Sequence, residues 1–331
     1  MIKIYTEYNK KNITDITPFC KSISISGDRD QCARTLQINI LYSIFDKNHV
    51  KTQINPGTKV WVFLNGMNIF SGIVFDRSLS STGQEIQFTA YDYLIYLLQN
   101  TVTYNFNKMP SFRAVEKVIT DLGIKCNKIP KVNIPITRLI TDKSAYEAIM
   151  EIYTQIYKRN GKMYIPVAED TKVSIIEKGS VVTDFVIQST TNNPVTNNVL
   201  SLDFSDSMSE MVNRVLIYDE NGKFVGKVED SNLFPYYGIM QRTYQKEENT
   251  NPYSAAKTML HGVDRNLTVQ CLGNWNCRTG YAVNTKVFYL NNLQNNILYI
   301  DSDTHTFEVA TGKYTMQLTL NYENKMDIRE E

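Results

Sequence analysis

The side chains best suited to chemistry in this sequence are Asp301, Asp303 and His305, three metal-ligating types at two-residue intervals. Successive side chains of an extended strand alternate between faces, so this spacing predicts all three on one face, in an arrangement suited to a divalent metal or a hydrolase centre. A polar turn between two strands explains the same residues equally well, because Asp, Ser and Thr favour turns. The other histidines are His49 and His261, and His261 stands beside Asp264 on a predicted helix, where it reads as a surface or satisfied core residue. Carboxylate pairs such as Glu169-Asp170 and Glu247-Glu248 fall in predicted loops and read as solvated charge. GxSxG, P-loop, Rossmann glycine and HExxH patterns are absent from the sequence. The expectation is a non-enzyme with a turn at 301–305 and with no catalytic, cofactor-binding or metal-binding residue.

Phe234-Pro235-Tyr236-Tyr237-Gly238 is a different kind of signal. Adjacent aromatics in a loop bounded by Pro and Gly do not both fit a core easily, so Phe234, Tyr236 and Tyr237 are candidate assembly-interface residues. Stacking on a sugar and packing of the loop onto its own domain are the rival uses.

These residues need a scaffold, and 331 residues suffice for two or three domains. Hydrophobic residues make up 42% and charged residues 21%, a globular profile that needs neither a metal nor disulfides to hold it folded. The balance of 35 basic and 34 acidic residues argues against sequence-specific nucleic-acid binding, which requires clustered positive charge. The charge is unevenly spread: residues 1–100 carry 10 basic and 8 acidic groups (+2), 101–188 carry 13 and 9 (+4), and 189–331 carry 12 and 17 (−5). A positive middle and a negative last third could attract each other within or between subunits, and solvated faces of different sign are the plainer reading. Five cysteines without a CxxC pair suggest folding in a reducing compartment. With no signal peptide in MIKIYTEYNKKN and no apolar run long enough to span a bilayer, cytoplasmic synthesis without membrane insertion is expected, and the glycosylation triplets at Asn12 and Asn266 carry no weight.

Alternation over Leu36–Ile40, Lys59–Leu64, Ile69–Asp76 and Glu85–Ala90 predicts strands, with a short helix within 91–98. The middle of the chain changes period. Ser111 is placed to cap a helix ending near Gly123, and Ser144 with Glu147 forms a capping box for a second helix with the stripe Tyr146, Ile149, Met150, Tyr153 and Ile156. A hairpin over 162–177 follows, then a polar stretch, 188–198, that is the best linker candidate. Strands resume at 213–218 and 223–228, a helix opens at Asn251-Pro252, and further strands are expected at 267–272, 285–290, 296–301, 306–310 and 314–322. The expected fold class is α+β, mainly β, divided into 1–100, 101–188 and 189–331.

One internal echo stands out. Thr58-Lys-Val-Trp-Val-Phe-Leu-Asn-Gly-Met-Asn-Ile-Phe-Ser-Gly-Ile73 followed by 85–90 is repeated in outline by Thr285-Lys-Val-Phe-Tyr-Leu-Asn-Asn-Leu-Gln-Asn-Asn-Ile-Leu-Tyr-Ile300 followed by 314–320. The two β regions therefore look related, although any two antiparallel meanders share some alternation.

The ordered set Ala33-Arg34-Thr35-Leu36, Pro56-Gly57-Thr58-Lys59-Val60, Phe70-Ser71-Gly72-Ile73, Glu85 to Asp92, Asn213-Arg214-Val215 and Thr304-His305-Thr306 resembles the baseplate hub proteins of contractile phage tails and tail-like bacteriocins. It is most similar to the hub of Bacillus-type defective prophages, with late control protein D and the N-terminal region of VgrG as more distant relatives. The resemblance runs over nearly the whole chain, and each motif alone is short and structural. It implies two tail-tube-like β-barrel domains separated by an α+β insertion, and a homotrimer joining a hexameric tail tube to a trimeric central spike. It also implies contacts with other baseplate and tape-measure components, a place in a virion tail or tail-like particle, and a structural rather than catalytic His305. No needle repeat or lysozyme-like segment follows Asn324, so piercing and wall cleavage are expected of other chains. The rivals are a carbohydrate or cell-wall binder using Trp61, Trp275 or the 234–238 aromatics, and a hydrolase centred on 301–305.

Overall fold

The computed structural model describes residues 1–9, 13–43, 53–80, 82, 84–191, 194–246 and 251–329. They form two compact units, one of residues 1–202 with 268–331 and one of residues 203–267. His49 and Glu247-Glu248 lie outside the described residues.

The first unit is built on antiparallel meanders. Lys59–Leu64 pairs with Met67–Ser80 through a turn in which Asn65 (φ 50°) and Gly66 (φ 83°) take the left-handed conformations that a two-residue hairpin demands. Met67–Ser80 then pairs with Glu85–Asp92, which pairs with Gln31–Leu41, which pairs with Cys20–Asp28. Alternation does the work: Leu36, Ile38, Ile40, Val60, Val62, Ile86, Phe88 and Ala90 share one core with Ile23 and Ile25.

The echo of this meander is a second one, in which Tyr281–Val287 pairs with Asn296–Glu308 and Asn296–Glu308 with Lys313–Asn321. The order of five neighbouring strands recurs as well. Cys20–Asp28, Gln31–Leu41, Glu85–Asp92, Met67–Ser80, Lys59–Leu64 is matched by Val199–Ser207, Asp264–Leu272, Lys313–Asn321, Asn296–Glu308, Tyr281–Val287. The long middle strand of each meander carries a β-bulge, at Phe75 in one and Asp301 in the other.

The mainly β, α+β expectation holds, but the two β regions do not form separate closed barrels among the described residues. They join in one sheet, because Asn296–Glu308 outlasts its pairing with Tyr281–Val287 and takes Cys20–Asp28 as its next partner over residues 302–308. That ladder also replaces the turn expected at 301–305 with continuous strand.

Between the meanders lie a two-stranded sheet of Thr101–Pro110 and Pro135–Ser144, the helices Ser111–Asp121 and Ala145–Asn160, and the hairpin Tyr164–Glu169/Lys172–Glu177. The capping box at Ser144 and Glu147 is present, and Gly161 ends its helix at φ 71°. Ser111 behaves differently from the expectation. It begins its helix without capping it, and its hydroxyl donates to the Val132 carbonyl at 2.6 Å. This region has its own core, which also takes in Cys32, Leu94, Leu97 and Met326.

The polar stretch 188–198 is tied to the sheet. The Asn198 side chain accepts from the Gln188 amide (3.0 Å) and donates to the Val186 carbonyl (2.8 Å), while Asn197 Oδ1 accepts from the Thr190 amide (2.8 Å). Asparagine amides thus supply the backbone partners that a sheet would otherwise provide.

In the second unit, Arg214–Tyr218 lies between Phe224–Glu229 and Gln241–Gln245, with the helix Pro252–Thr258 packed on it and Asn251 capping that helix. His261 lies beyond the helix rather than on it, bridging to Val212 and bonding Asp264 at 2.8 Å. No described helix is long and apolar enough to cross a membrane.

Candidate functional site

The residues that sequence singled out for chemistry divide into two groups, and the bulge is the cause. Ile300 pairs with Leu320 and Ser302 with Thr319, so Asp301 is the extra residue and the two-residue periodicity breaks there. Asp301 turns to Arg29 (2.9 Å), Lys178 (3.5 Å) and Asn321 (3.1 Å). Asp303 and His305 stay on the buried face, at 1% and 0% exposure. The spacing therefore does not bring the three together, and among the described residues no cluster of His, Cys, Asp and Glu could hold a metal ion.

Asp303 meets Arg34 instead. Oδ1 accepts from Arg34 Nη1 at 3.0 Å, Oδ2 from Arg34 Nη2, and Oδ1 also accepts from the Thr279 amide (2.6 Å) and hydroxyl (2.8 Å). Burial works against this charge, yet the guanidinium and the His305 hydrogen bond outweigh it and hold the carboxyl well below the usual carboxylate range. The pairing depends on a glycine. Arg34 lies on Gln31–Leu41 and Asp303 on Asn296–Glu308, with Gly27 of Cys20–Asp28 between them and opposite Asp303. A Cβ on Gly27 would stand 3.0 Å from Arg34 Cζ and 3.3 Å from Asp303 Oδ1. The guanidinium occupies the space that the glycine leaves open.

His305 is held from three sides. Nε2 lies 3.1 Å from the Cys277 carbonyl and 3.2 Å from Asp303 Oδ2, both acceptors, so it carries the proton, and Nδ1 accepts from the Tyr314 hydroxyl at 2.8 Å. Burial keeps the ring neutral, against the pull of Asp303. The Tyr314 ring stacks on Phe307, with centroids 4.2 Å apart, and Trp275 packs against His305 at 4.8 Å. A neutral imidazole enclosed in this way cannot reach a substrate. It ties the strands together.

Beside the network is a cleft of about 380 Å³ lined by Arg34, Asp92, Asp170, Trp275 and Arg278. Burial raises the Asp92 carboxyl to about 7, although its Oδ1 accepts from the Leu94 amide at 3.0 Å. Trp275, a candidate sugar platform by residue type, is 7% exposed and has the Arg34 and Arg278 guanidinium groups 5.2 and 5.4 Å from its ring. The thiols are equally inert: burial pushes Cys20 and Cys271 up to about 12.

The aromatic segment lies in the second unit as a single turn of helix, Phe234–Tyr237. Tyr236 is 81% exposed, whereas Phe234 is half-buried against the Arg214 guanidinium at 4.9 Å. Arg214 in turn bonds Glu229 at 2.8 Å. Tyr237 is half-buried, its ring centre 6.3 Å from that of Tyr236.

Sequence reasoning missed the partnership of Arg34 with Asp303, 269 residues apart. The available signal was an arginine inside the apolar alternation of Gln31–Leu41 with a glycine in the preceding strand.

Comparison with known proteins places these features in a family. A family model described as YQBQ-like matches residues 23–321. The phage-like element PBSX protein XkdQ of Bacillus subtilis (strain 168) is 23% identical over 320 residues, covering 92% of this chain and 93% of that protein. Among solved structures, the prophage MuSo2 43 kDa tail protein from Shewanella oneidensis superposes with a TM-score of 0.72 at 14% identity, covering 97% of both chains. A tail protein from Neisseria meningitidis MC58 gives a TM-score of 0.64 at 13% identity, covering 96% of both. The family match and these likenesses bear out the resemblance to phage-tail baseplate proteins drawn from the short motifs, and the mainly β fold is shared across nearly the full chain.

Proposed function

The chain belongs to the YQBQ-like family, and on that premise we propose that it is the structural hub of a contractile-tail baseplate or of a tail-like particle. Three copies join the hexameric tail tube to the trimeric central spike. The observation that carries this reading is the repeated order of five strands within one chain. A ring of three such chains offers six similar β units to a sixfold tube while keeping threefold symmetry toward a spike. In this reading 1–100 and 189–331 are the two tube-like domains, 101–188 is the module between them, and tape-measure and other baseplate components are further partners. Phe234, Tyr236 and Tyr237 serve as assembly contacts, with the exposed Tyr236 as the residue presented.

The same reading makes the chain non-enzymatic. Its most chemically capable residues, Asp303 and His305, are enclosed by Arg34, Thr279, Tyr314 and the Cys277 carbonyl and serve packing. The name of the Bacillus relative as a phage-like element protein, and those of the solved tail proteins, support a place in a virion tail or tail-like particle.

Deleting the gene from a host that makes the particle tests the proposal. Cells without the chain are expected to yield no tubes joined to spikes, with assembly restored by the intact gene. Normal tails in the deletion strain would refute it.

A further inference from the structure

Arg34 and Arg278 both lie over the Trp275 indole, and only one of them has a counter-ion. The Arg34 guanidinium stands 5.2 Å from the ring centre, and its fork is filled by the two oxygens of Asp303. The Arg278 guanidinium stands 5.4 Å from the same ring and 5.5 Å from that of Tyr281. Aromatic rings hold a guanidinium by its charge and leave its five N–H donors unspent. Among the described residues the Arg278 side chain has neither an ion pair nor a hydrogen bond, and its Nε is buried without a partner. Burial, and then the positive charge of Arg34, push this guanidinium below its ordinary value, the direction taken by a cation that lacks a counter-ion. The carboxylates that line the cleft beside it are engaged elsewhere. Glu169 accepts from the Asn127 amide group and from the Ser174 hydroxyl (2.9 Å), and Asp170 from the Ser71 hydroxyl (2.7 Å) and Asn68 (3.3 Å).

We propose that this cleft binds a monocarboxylate, whose two oxygens take from Arg278 the paired donors that Asp303 takes from Arg34. A planar fork matches a carboxylate in a way that a point charge does not, and a desolvated cation without an anion is costly, so the site is built for a ligand of opposite sign. The cleft, at about 380 Å³, is within the size range of pockets that enclose small ligands. Its own acidic residues set the selectivity. Asp92, Glu169 and Asp170 line the same space, and they repel further negative charge on the ligand, so phosphate and polyanions are disfavoured where a single carboxylate is accepted. That carboxylate belongs either to a free small acid or to an acidic residue of a polypeptide, and the chemistry at Arg278 is the same for both. The inference rests on these side chains and stands apart from the hub reading.

Nitrogen-15 NMR of the full chain tests it through the Arg278 Nε–H and Trp275 indole signals. The probes are propionate, the blocked peptide acetyl-Gly-Glu-Gly-amide, its Gln counterpart and inorganic phosphate, each to about 20 mM. At least one of the two carboxylates is expected to shift both signals saturably, with the Gln peptide and phosphate at least about tenfold weaker. A Glu peptide that binds about tenfold more tightly than propionate identifies a polypeptide as the source, and equal affinities identify a free acid. Absence of a saturable shift with either carboxylate would overturn the proposal, as would equal binding of the Gln peptide or of phosphate. Arg278→Gln is expected to abolish the shift of the Trp275 indole, and Arg278→Lys, which keeps the charge without the fork, to weaken binding about tenfold. Undiminished affinity in folded Arg278→Gln would place the ligand elsewhere and overturn the assignment. If that variant does not fold, the Glu and Gln peptides on the unaltered chain decide.

Discussion

Arg34 reaches Asp303 across the face of Gly27, so a bidentate ion pair joins the first β region of the chain to the last through a strand lying between them. With the Asp303 side chain fully enclosed, removal of either partner leaves the other charge without compensation. Arg34→Met or Asp303→Leu is expected to cost about 3–5 kcal/mol in urea unfolding. The double variant should cost clearly less than the sum of the two. Additive losses would show that the pair does not couple the two regions.

Gly27 is required by that pairing rather than by its own backbone. Gly27→Ala places a methyl where the guanidinium lies, and a loss of about 1–3 kcal/mol is expected from the overpacking. In an Arg34→Met background the loss should shrink, because the flexible thioether gives way. An undiminished loss there would mean that the strand itself rejects a side chain at position 27.

Two buried groups give the stability opposite pH slopes. Asp92, raised to about 7 from the ordinary 3.8, binds its proton more tightly when folded, so its contribution falls as pH rises from about 4 through 7. Asp92→Asn should therefore gain stability relative to the parent across that window, by up to about 4 kcal/mol above pH 7. His305 is lowered from 6.5, so the unfolded chain takes up protons first and stability falls as pH drops below about 6.5. Thermal melts of Asp92→Asn and His305→Gln between pH 5 and 8 separate the two. Parallel curves for both variants and parent would contradict the assignments.

The second unit is inserted between two strands that already meet, since the Leu272 amide donates to the Asn198 carbonyl at 2.9 Å. Replacing residues 208–263 by a short polar turn is expected to leave the remainder folded, with a single cooperative transition and dispersed NMR signals. Loss of that transition would show that the first unit needs the second to fold.

What was legible in the sequence was local. The capping box at Ser144 and Glu147, the glycine at 123 that ends a helix and the alternation over 59–92 depend on residues a few positions apart, and the structure contains them. The bulge at Asp301 was not legible, because it arises where Asn296–Glu308 exchanges one partner for another, a tertiary event with no sequence-local signal. The same bulge explains why the two-residue spacing failed to bring Asp301 alongside Asp303 and His305. The polar stretch 188–198 read as a linker because its composition is that of one. Its asparagines instead hold it against the end of a strand.

The hub assignment is tested most directly by averaged images of intact particles that carry a label on this chain. The account predicts three copies at the junction of tube and spike, with their six β units in one ring around a channel. Six copies per ring, or a position at the baseplate periphery, would contradict it and favour a tube or wedge component instead.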